Sequence, residues 1–213
     1  MGLFDTLREA LGLRAEADAG RAADPEDLFG MSTAYVTMEA DLDFRPVGAA
    51  ALCFDAVDST DFDGTVGDVE EILRVGEEET GTAFDRRADD HGYHWVVLRD
   101  DDPEDLVTSV HFAADTFVER GYGSRLLAAV FGFERRAGSE AAREGRDGSE
   151  RVYWIYSFRR GAYYPFVLAG DHERDSRLEF KLRSVLEGEL DVEDDESYWY
   201  PLWPDRPGGH PWE

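Results

Sequence analysis

The chain has 213 residues, enough for one or two domains with a substantial core, and its composition is strongly acidic. It carries 48 acidic against 22 basic residues, for a formal net charge of -26, and Lys181 is its only lysine. This charge excludes sequence-independent binding to nucleic acid, which needs a basic stripe against the phosphates.

An acidic, lysine-poor chain that is still 42% hydrophobic is typical of a halophile protein rather than of a disordered acidic tail. Self-repulsion at this charge destabilises a fold at low ionic strength, and molar salt screens it over a few ångström. We therefore expect a cytoplasm rich in salt. The single cysteine, Cys53, excludes an intrachain disulfide, and no apolar run is long enough for a transmembrane helix.

Residues 1–13 predict an amphipathic helix with one apolar stripe at i, i+3/i+4 and i+7 spacing. The stripe contains Leu3, Phe4, Leu7 and Leu11. Residues 14–24 predict an acidic linker, which makes the helix detachable. The helix then either packs on its own domain or docks on a partner or a membrane. Asp5 and Glu9 on its polar face disfavour an anionic membrane surface.

A single domain is expected over residues 25–205, followed by a tail over residues 206–213. Hydrophobic periodicity predicts strands at Ala34–Met38, Val47–Phe54, Thr82–Arg87, Gly92–Leu98 and Leu126–Glu134, and in a hairpin over Arg151–Leu168. Helices are predicted after Asp61 or Asp63, after Asp102, and after Asp175 or Ser176. The aromatic run Tyr198–Pro204 is expected to lie across the domain, since water is a poor environment for it.

The mixed order of these elements predicts the α+β fold class. We expect a largely antiparallel sheet of about six or seven strands with helices packed mainly on one side, together with the N-terminal amphipathic helix.

The hairpin organises the predicted sheet. Its aromatic residues alternate through the first strand, Gly161 breaks the run, and Pro165 places the second strand at an edge or a bulge. Most of these aromatic side chains are expected in the core. The candidates for contact with a partner are the residues at the turn, Arg159, Arg160, Tyr163 and Tyr164.

Signals of catalysis are sparse. His91 and His94 could supply metal ligands beside Asp89 and Asp90. Residues three apart on a strand point to opposite faces, so the two histidines could share a metal only if His91 lay in the turn, and no metal site is expected. No Gly-rich phosphate-binding loop occurs, and no cofactor is expected. These observations favour a non-enzymatic protein.

Several short segments resemble the PspAB family, the PspA-associated proteins of archaea and actinobacteria, and the resemblance extends from Met1 to Trp203. The segments are Met1–Phe4, Asp27–Phe29, Leu42–Pro46, Gly92–Trp95, Leu126–Leu127, Arg160–Phe166, Arg174–Asp175 and Trp199–Trp203. The resemblance implies an accessory to PspA, a coiled-coil protein that coats stressed membranes, and it implies no catalytic residues.

Two classes of function follow. The first is a cytoplasmic adaptor in an envelope-stress response, which binds a PspA-like coiled-coil protein and is compatible with peripheral association at the inner face of the membrane. The alternative is a small-ligand-binding module or an enzyme that uses the aromatic hairpin and the His91/His94 region. The sequence predicts no oligomeric state.

Overall fold

The computed structural model describes residues 21–89, 91–136, 151–170, 172–206 and 208–213. Seven strands lie in these ranges: β1 (Phe44–Asp55), β2 (Ala83–Ala88), β3 (Tyr93–Arg99), β4 (Leu126–Arg135), β5 (Arg151–Ser157), β6 (Ala162–Gly170) and β7 (Glu173–Arg174). They form one sheet in the order β2-β3-β1-β4-β5-β6-β7, and each neighbouring pair is antiparallel.

Four α-helices lie in the same ranges: α1 (Gly30–Leu42), α2 (Thr60–Thr80), α3 (Pro103–Glu119) and α4 (Ser176–Leu186). Short 3-10 helices are found at Pro25–Phe29, Gly123–Arg125 and Glu196–Tyr198. The buried apolar residues of all four α-helices belong to one core cluster on one face of the sheet. The predicted α+β class, with an antiparallel sheet and helices on one side, is confirmed. The predicted helix over residues 1–13 lies outside the described residues.

Three of the helices begin at a side chain that caps the first turn. Ser59, Asp102 and Asp175 each accept a backbone N–H hydrogen bond, at 3.1, 2.9 and 3.0 Å. The sequence predicted the start at Asp102 and offered Asp175 or Ser176 for α4, where Asp175 is the cap, but its prediction of Asp61 or Asp63 for α2 was wrong. Those two carboxylates lie inside the first turn of α2, where they face the positive end of the helix dipole.

The prediction of a strand at Ala34–Met38 was also wrong, because this segment lies within α1. Buried residues recur there at helical spacing, at Met31, Ala34, Tyr35, Met38 and Leu42. The β-branched residues between them, which suggested a strand, lie on the other faces of the helix. Packing of the buried stripe against the sheet therefore outweighs the weak strand propensity of the intervening residues.

The predicted hairpin is formed by β5 and β6, with Tyr156 opposite Tyr163 and Trp154 opposite Pro165. On the outer side of β6, the N–H of Tyr163 donates to the Asp191 carbonyl at 2.8 Å and the N–H of Val167 donates to Glu179 at 2.9 Å. Pro165 lies between Tyr163 and Val167. It has no backbone N–H, so it needs no hydrogen-bond acceptor on this outer side of the strand. Since β7 pairs only with the far end of β6, Pro165 lies at a local edge, as predicted.

The second face of the sheet is covered by residues 199–206 and 208–213, and no helix or strand is found within these two ranges. Trp199 and Trp212 are buried in this second cluster, and the Trp203 ring packs on Phe166 with 5.1 Å between ring centroids. The prediction that the aromatic run lies across the domain is confirmed. We call residues 199–206 and 208–213 the C-terminal strap.

A buried ion pair links the hairpin turn to the chain that leads into the strap. The guanidinium of Arg160 donates to Glu193 at 2.6 Å and lies 3.9 Å above the Tyr198 ring. Both partners are more than nine-tenths buried. The Glu193 carbonyl also accepts the indole N–H of Trp199 at 3.0 Å, so one residue orients both the turn and the start of the strap.

Candidate docking surface

The four hairpin residues predicted to contact a partner take part in the chain's own packing. Tyr163 and Tyr164 are buried, Arg160 is in the ion pair with Glu193, and Arg159 is half-buried. Burial raises the pKa of the Tyr163 hydroxyl, which donates to the backbone carbonyl of Asp27 at 3.3 Å. A partner role for these residues stays a prediction. The other four predicted residues, Leu3, Phe4, Leu7 and Leu11, lie outside the described residues.

The hairpin turn lies next to the place where the N-terminal segment enters the described fold. Gly161 has a φ of +63°, and a Cβ there would lie 3.1 Å from the carbonyl oxygen of Ala22. The neighbouring residue, Arg21, forms ion pairs with Asp27 and Asp191. The turn and the entry of the N-terminal segment are therefore at one end of the molecule, although they are far apart in sequence.

An acidic cleft of about 400 Å³ opens beside this entry point. It is lined by Glu26, Asp27, Gly30, Tyr163 and residues 187–191. The Glu189 carboxylate accepts a hydrogen bond from the Thr37 hydroxyl at 2.6 Å through one oxygen. Its second oxygen is buried and has no hydrogen-bond partner within the described part of the chain. The carboxylates along the cleft make a cationic group the ligand that it would attract.

Asp27 lines one side of this cleft, and two contacts hold its side chain in place. Its carboxylate accepts the Tyr156 hydroxyl at 2.7 Å and forms the ion pair with Arg21. Burial, reinforced by the Asp27 carboxylate, raises the pKa of Tyr156, and the hydrogen bond to Asp27 raises the pKa of Arg21. Both groups therefore keep their protons at neutral pH, and the network holds the 3-10 helix Pro25–Phe29 on the sheet.

A second surface adjoins the cleft, on the outer faces of α1 and α3. Phe29, Val36 and Phe112 are 38%, 66% and 48% exposed. Thr33 lies between the first two on α1, and Thr108 is one turn before Phe112 on α3. We call these five residues the uncharged helical patch. Large apolar side chains left in water on neighbouring helices are typical of an interaction site.

His111 joins the two halves of the patch. Its ring lies between those of Phe29 and Phe112, with centroid separations of 4.5 and 5.6 Å. Its Nε2 atom is 3.3 Å from a carboxylate oxygen of Glu26, without the geometry of a hydrogen bond. Because the histidine is 6% exposed, it supports the two phenylalanine rings from beneath and is not itself a contact surface.

The patch differs from the outer face of α2. Ile72 and Val75 are also exposed there, at 41% and 50%. They stand among carboxylates, however, because Glu70 and Glu71 precede them and Glu77 follows them in the same helix. Apolar side chains dispersed among charges are ordinary on a protein surface, so α2 provides a matched control for the patch.

The residues of the alternative site, around His91 and His94, take part in the packing and hydrogen bonding of the β2–β3 turn. Asp89 accepts the backbone N–H groups of His91 and Tyr93, both at 2.9 Å, and the indole N–H of Trp95 at 3.1 Å. His91 is exposed, whereas the His94 ring stacks on Phe54 at 5.7 Å. Among the residues that the structure describes, no three His, Cys, Asp or Glu side chains are grouped to hold a metal ion.

Sequence reasoning missed Val36 and Phe112, although a signal for both was present. No Asp, Glu, Lys or Arg occurs between Asp27 and Glu39, or between Asp105 and Asp115. In a chain with 33% charged residues, two helices with charge-free intervals are unusual. The inner faces of these intervals are core, and the lack of charge among their outward-facing residues is the additional information.

The molecule is thus an α+β protein with an exposed apolar patch next to an acidic cleft, which together are its candidate docking surface. The family model of PspA associated protein B, PspAB, matches residues 1–212, and the chain belongs to this family. The family name indicates association with PspA, which is consistent with an accessory role. No curated protein and no solved structure matches the chain. None of the helices in the described ranges has the length and apolar character needed to cross a bilayer.

Proposed function

We propose that this protein is a non-enzymatic adaptor that binds a PspA-type coiled-coil protein in an envelope-stress response. It works in the cytoplasm, and its partner brings it to the inner face of the membrane. The observation that carries the proposal is the uncharged helical patch, which leaves three large apolar side chains in water on a chain with a net charge of -26. The family name, PspA associated protein B, supports a PspA-type protein as the partner.

The amphipathic pattern of residues 1–13 supports a second contact with the same partner. Isolated helices shorter than about 12–15 residues are marginal in water, so the segment needs a surface to dock on. Leu3, Phe4, Leu7 and Leu11 would supply anchors at the spacing with which a helix packs into a groove. The hairpin residues Arg159–Tyr164 would act indirectly, by holding the entry point of this segment.

Co-purification of the PspA-type protein with wild-type and Leu7→Asp/Leu11→Asp forms tests the proposal. We expect the double substitution to abolish the pull-down and to leave the thermal melt unchanged, since it places two carboxylates at apolar contacts. Arg8→Asp is the control, because it makes the same change of two charge units on the polar face. Wild-type protein that does not bind the purified PspA-type protein would overturn the proposed function.

We also propose that the natural environment is a cytoplasm rich in salt. The net charge of -26 and the single lysine support this. The melting temperature should be markedly higher in molar KCl than in dilute buffer, because salt screens the repulsion between carboxylates. Equal melting temperatures in the two buffers would contradict the proposal.

A further inference from the structure

The uncharged helical patch and the acidic cleft share the 3-10 helix Pro25–Phe29. Glu26 and Asp27 line the cleft, and Phe29 is part of the patch. Two surfaces of different chemistry therefore meet within one turn of the chain. A ligand that covers both must have apolar side chains over one part of its length and positive charge over another.

We propose that the two surfaces together bind one amphipathic helix of the partner, which carries arginine or lysine at one end of its apolar stripe. This inference rests on the proposed function. The apolar side chains of the bound helix pack on Phe29, Val36 and Phe112. Its positively charged end enters the acidic cleft, where it meets Glu26, Glu187 and Glu189.

The arrangement of the patch selects a helix as the ligand. Phe29, Thr33 and Val36 follow one another at i, i+4 and i+7, so they form one ridge along α1. Thr108 and Phe112 form a second ridge on α3, and the 3-10 helix and α1 pack against α3. A third helix packs on such a pair by placing its own ridge between theirs. Its anchors then recur at i, i+3/i+4 and i+7.

Charge complementarity selects the cationic end. The side chain of Glu26 is 72% exposed, Glu187 is exposed, and one oxygen of Glu189 is buried without a hydrogen-bond partner in the described ranges. A guanidinium or ammonium group replaces the repulsion among these carboxylates by charge-assisted hydrogen bonds. The fold already contains an example of this chemistry, since Asp27 and Asp191 together hold the guanidinium of Arg21.

The experiment measures the dissociation constant of the purified PspA-type protein with the wild-type chain and four variants. The apolar variant is Val36→Ser/Phe112→Ser, and its control is Ile72→Ser/Val75→Ser on α2. The charge variant is Glu26→Gln/Glu187→Gln, and its control is Glu77→Gln/Glu78→Gln. Each form is also melted, so that a loss of binding can be separated from a loss of folding.

The apolar variant should raise the dissociation constant at least about tenfold, the scale expected when central apolar anchors are removed. The charge variant should raise it by about threefold to tenfold at low salt, and the difference should shrink as KCl increases. Both controls should bind like the wild type. Variants that bind like the wild type, or controls that lose as much binding, would overturn the inference and leave the proposed function intact.

A synthetic helix separates the two proposals. The probe is a peptide with leucines at i, i+4 and i+7 and arginines at one end, and the same peptide with glutamates in place of the arginines is its control. Binding of the arginine peptide that the patch substitutions weaken supports the inference even if the PspA-type protein does not bind. Binding of the arginine peptide that Glu77→Gln/Glu78→Gln weakens as much as Glu26→Gln/Glu187→Gln does would overturn the inference, because it would show general attraction to an acidic surface.

Discussion

The two faces of the sheet bury aromatic residues by different means. On the helical face, α1 to α4 satisfy their own backbone hydrogen bonds and contribute apolar stripes. On the other face, the C-terminal strap depends on side chains of the sheet, because the carbonyls of Trp199, Tyr200 and Gly209 accept hydrogen bonds from Arg174, Tyr164 and Arg151 at 2.8, 3.0 and 2.7 Å. The stability of the helical face should therefore depend on how completely its core is filled. The stability of the strap on the other face should depend on a few polar contacts.

The helical face is tested by Phe131→Ala. Phe131 is fully buried, and the Tyr35 ring meets it edge-on at 6.4 Å. The substitution should lower the free energy of unfolding by about 3–5 kcal/mol, because a ring is lost and a cavity is left. Denaturant unfolding measures the change. Phe112→Ala is the control and should cost less than about 0.5 kcal/mol, since Phe112 is half exposed.

The link between the faces is tested by Glu193→Gln. The amide keeps the size of the side chain and removes the charge that faces the buried Arg160. We expect a loss of about 1.5–3 kcal/mol, the range for hydrogen bonds to charged groups. Asp194→Asn is the matched control in the next residue, where the ion pair with Arg183 is exposed and should contribute at most about 1 kcal/mol. Equal losses for the two substitutions would show that burial of the Arg160 pair has no energetic consequence.

The strap itself is tested by Trp212→Ala. Trp212 is 4% exposed and lies edge-on to Tyr153 at 5.9 Å. We expect a loss of about 1–2 kcal/mol, less than for Phe131, because the strap can leave the sheet while the helical face stays folded. Hydrogen exchange should increase in residues 208–213 and in β5, and α3 should stay protected. Uniform exchange across the whole chain would mean that the two faces unfold as one unit.

A change of pH should produce the smallest effect on the strap. Burial lowers the pKa of His210 from its ordinary value, Arg151 and Arg99 lower it further, and Glu213 and Glu134 raise it. The docked strap therefore binds this proton less well than the released strap does. Docking is most stable above the unfolded pKa of about 6.5, and it weakens as the pH falls through that value.

Tryptophan fluorescence at about pH 8 and about pH 5.5 measures this change, because the Trp212 ring stacks on His210 at 4.7 Å. His210→Gln is the control: it retains a polar partner for the Tyr153 hydroxyl, which is 3.0 Å from His210 Nδ1, and removes the titrating group. A pH response that persists in His210→Gln would assign the change to another group.

Local signals in the sequence predicted the elements that local physics specifies. Asp102 followed by Pro103 predicted the start of α3, because a side-chain cap and a proline at the first helical position act within one turn. The apolar run from Leu126 predicted β4. The prediction failed at Ala34–Met38, where strand propensity and helical spacing conflicted and the packing of Met31 and Met38 decided the outcome.

The docking surface was less predictable than the fold. The hairpin residues predicted as partner contacts are mostly buried. The sequence could not show this, because aromatic and arginine residues occur both in protein cores and on protein surfaces. Exposure of Phe29 and Phe112 depends on which face of each helix the sheet covers. The cleft depends on contacts such as Thr37 with Glu189, which join residues far apart in the chain.

By itself, the sequence determined the α+β class, the starts of α3 and α4 and the β5–β6 hairpin, since all of these follow from local periodicity and capping. Only the tertiary structure decided which apolar residues remain in water, where the strap runs, and that Arg160 pairs with Glu193. The physical reason is that these features depend on contacts between residues far apart in the chain. Such a contact produces no hydrophobic periodicity in either segment, so the sequence of each segment does not predict it.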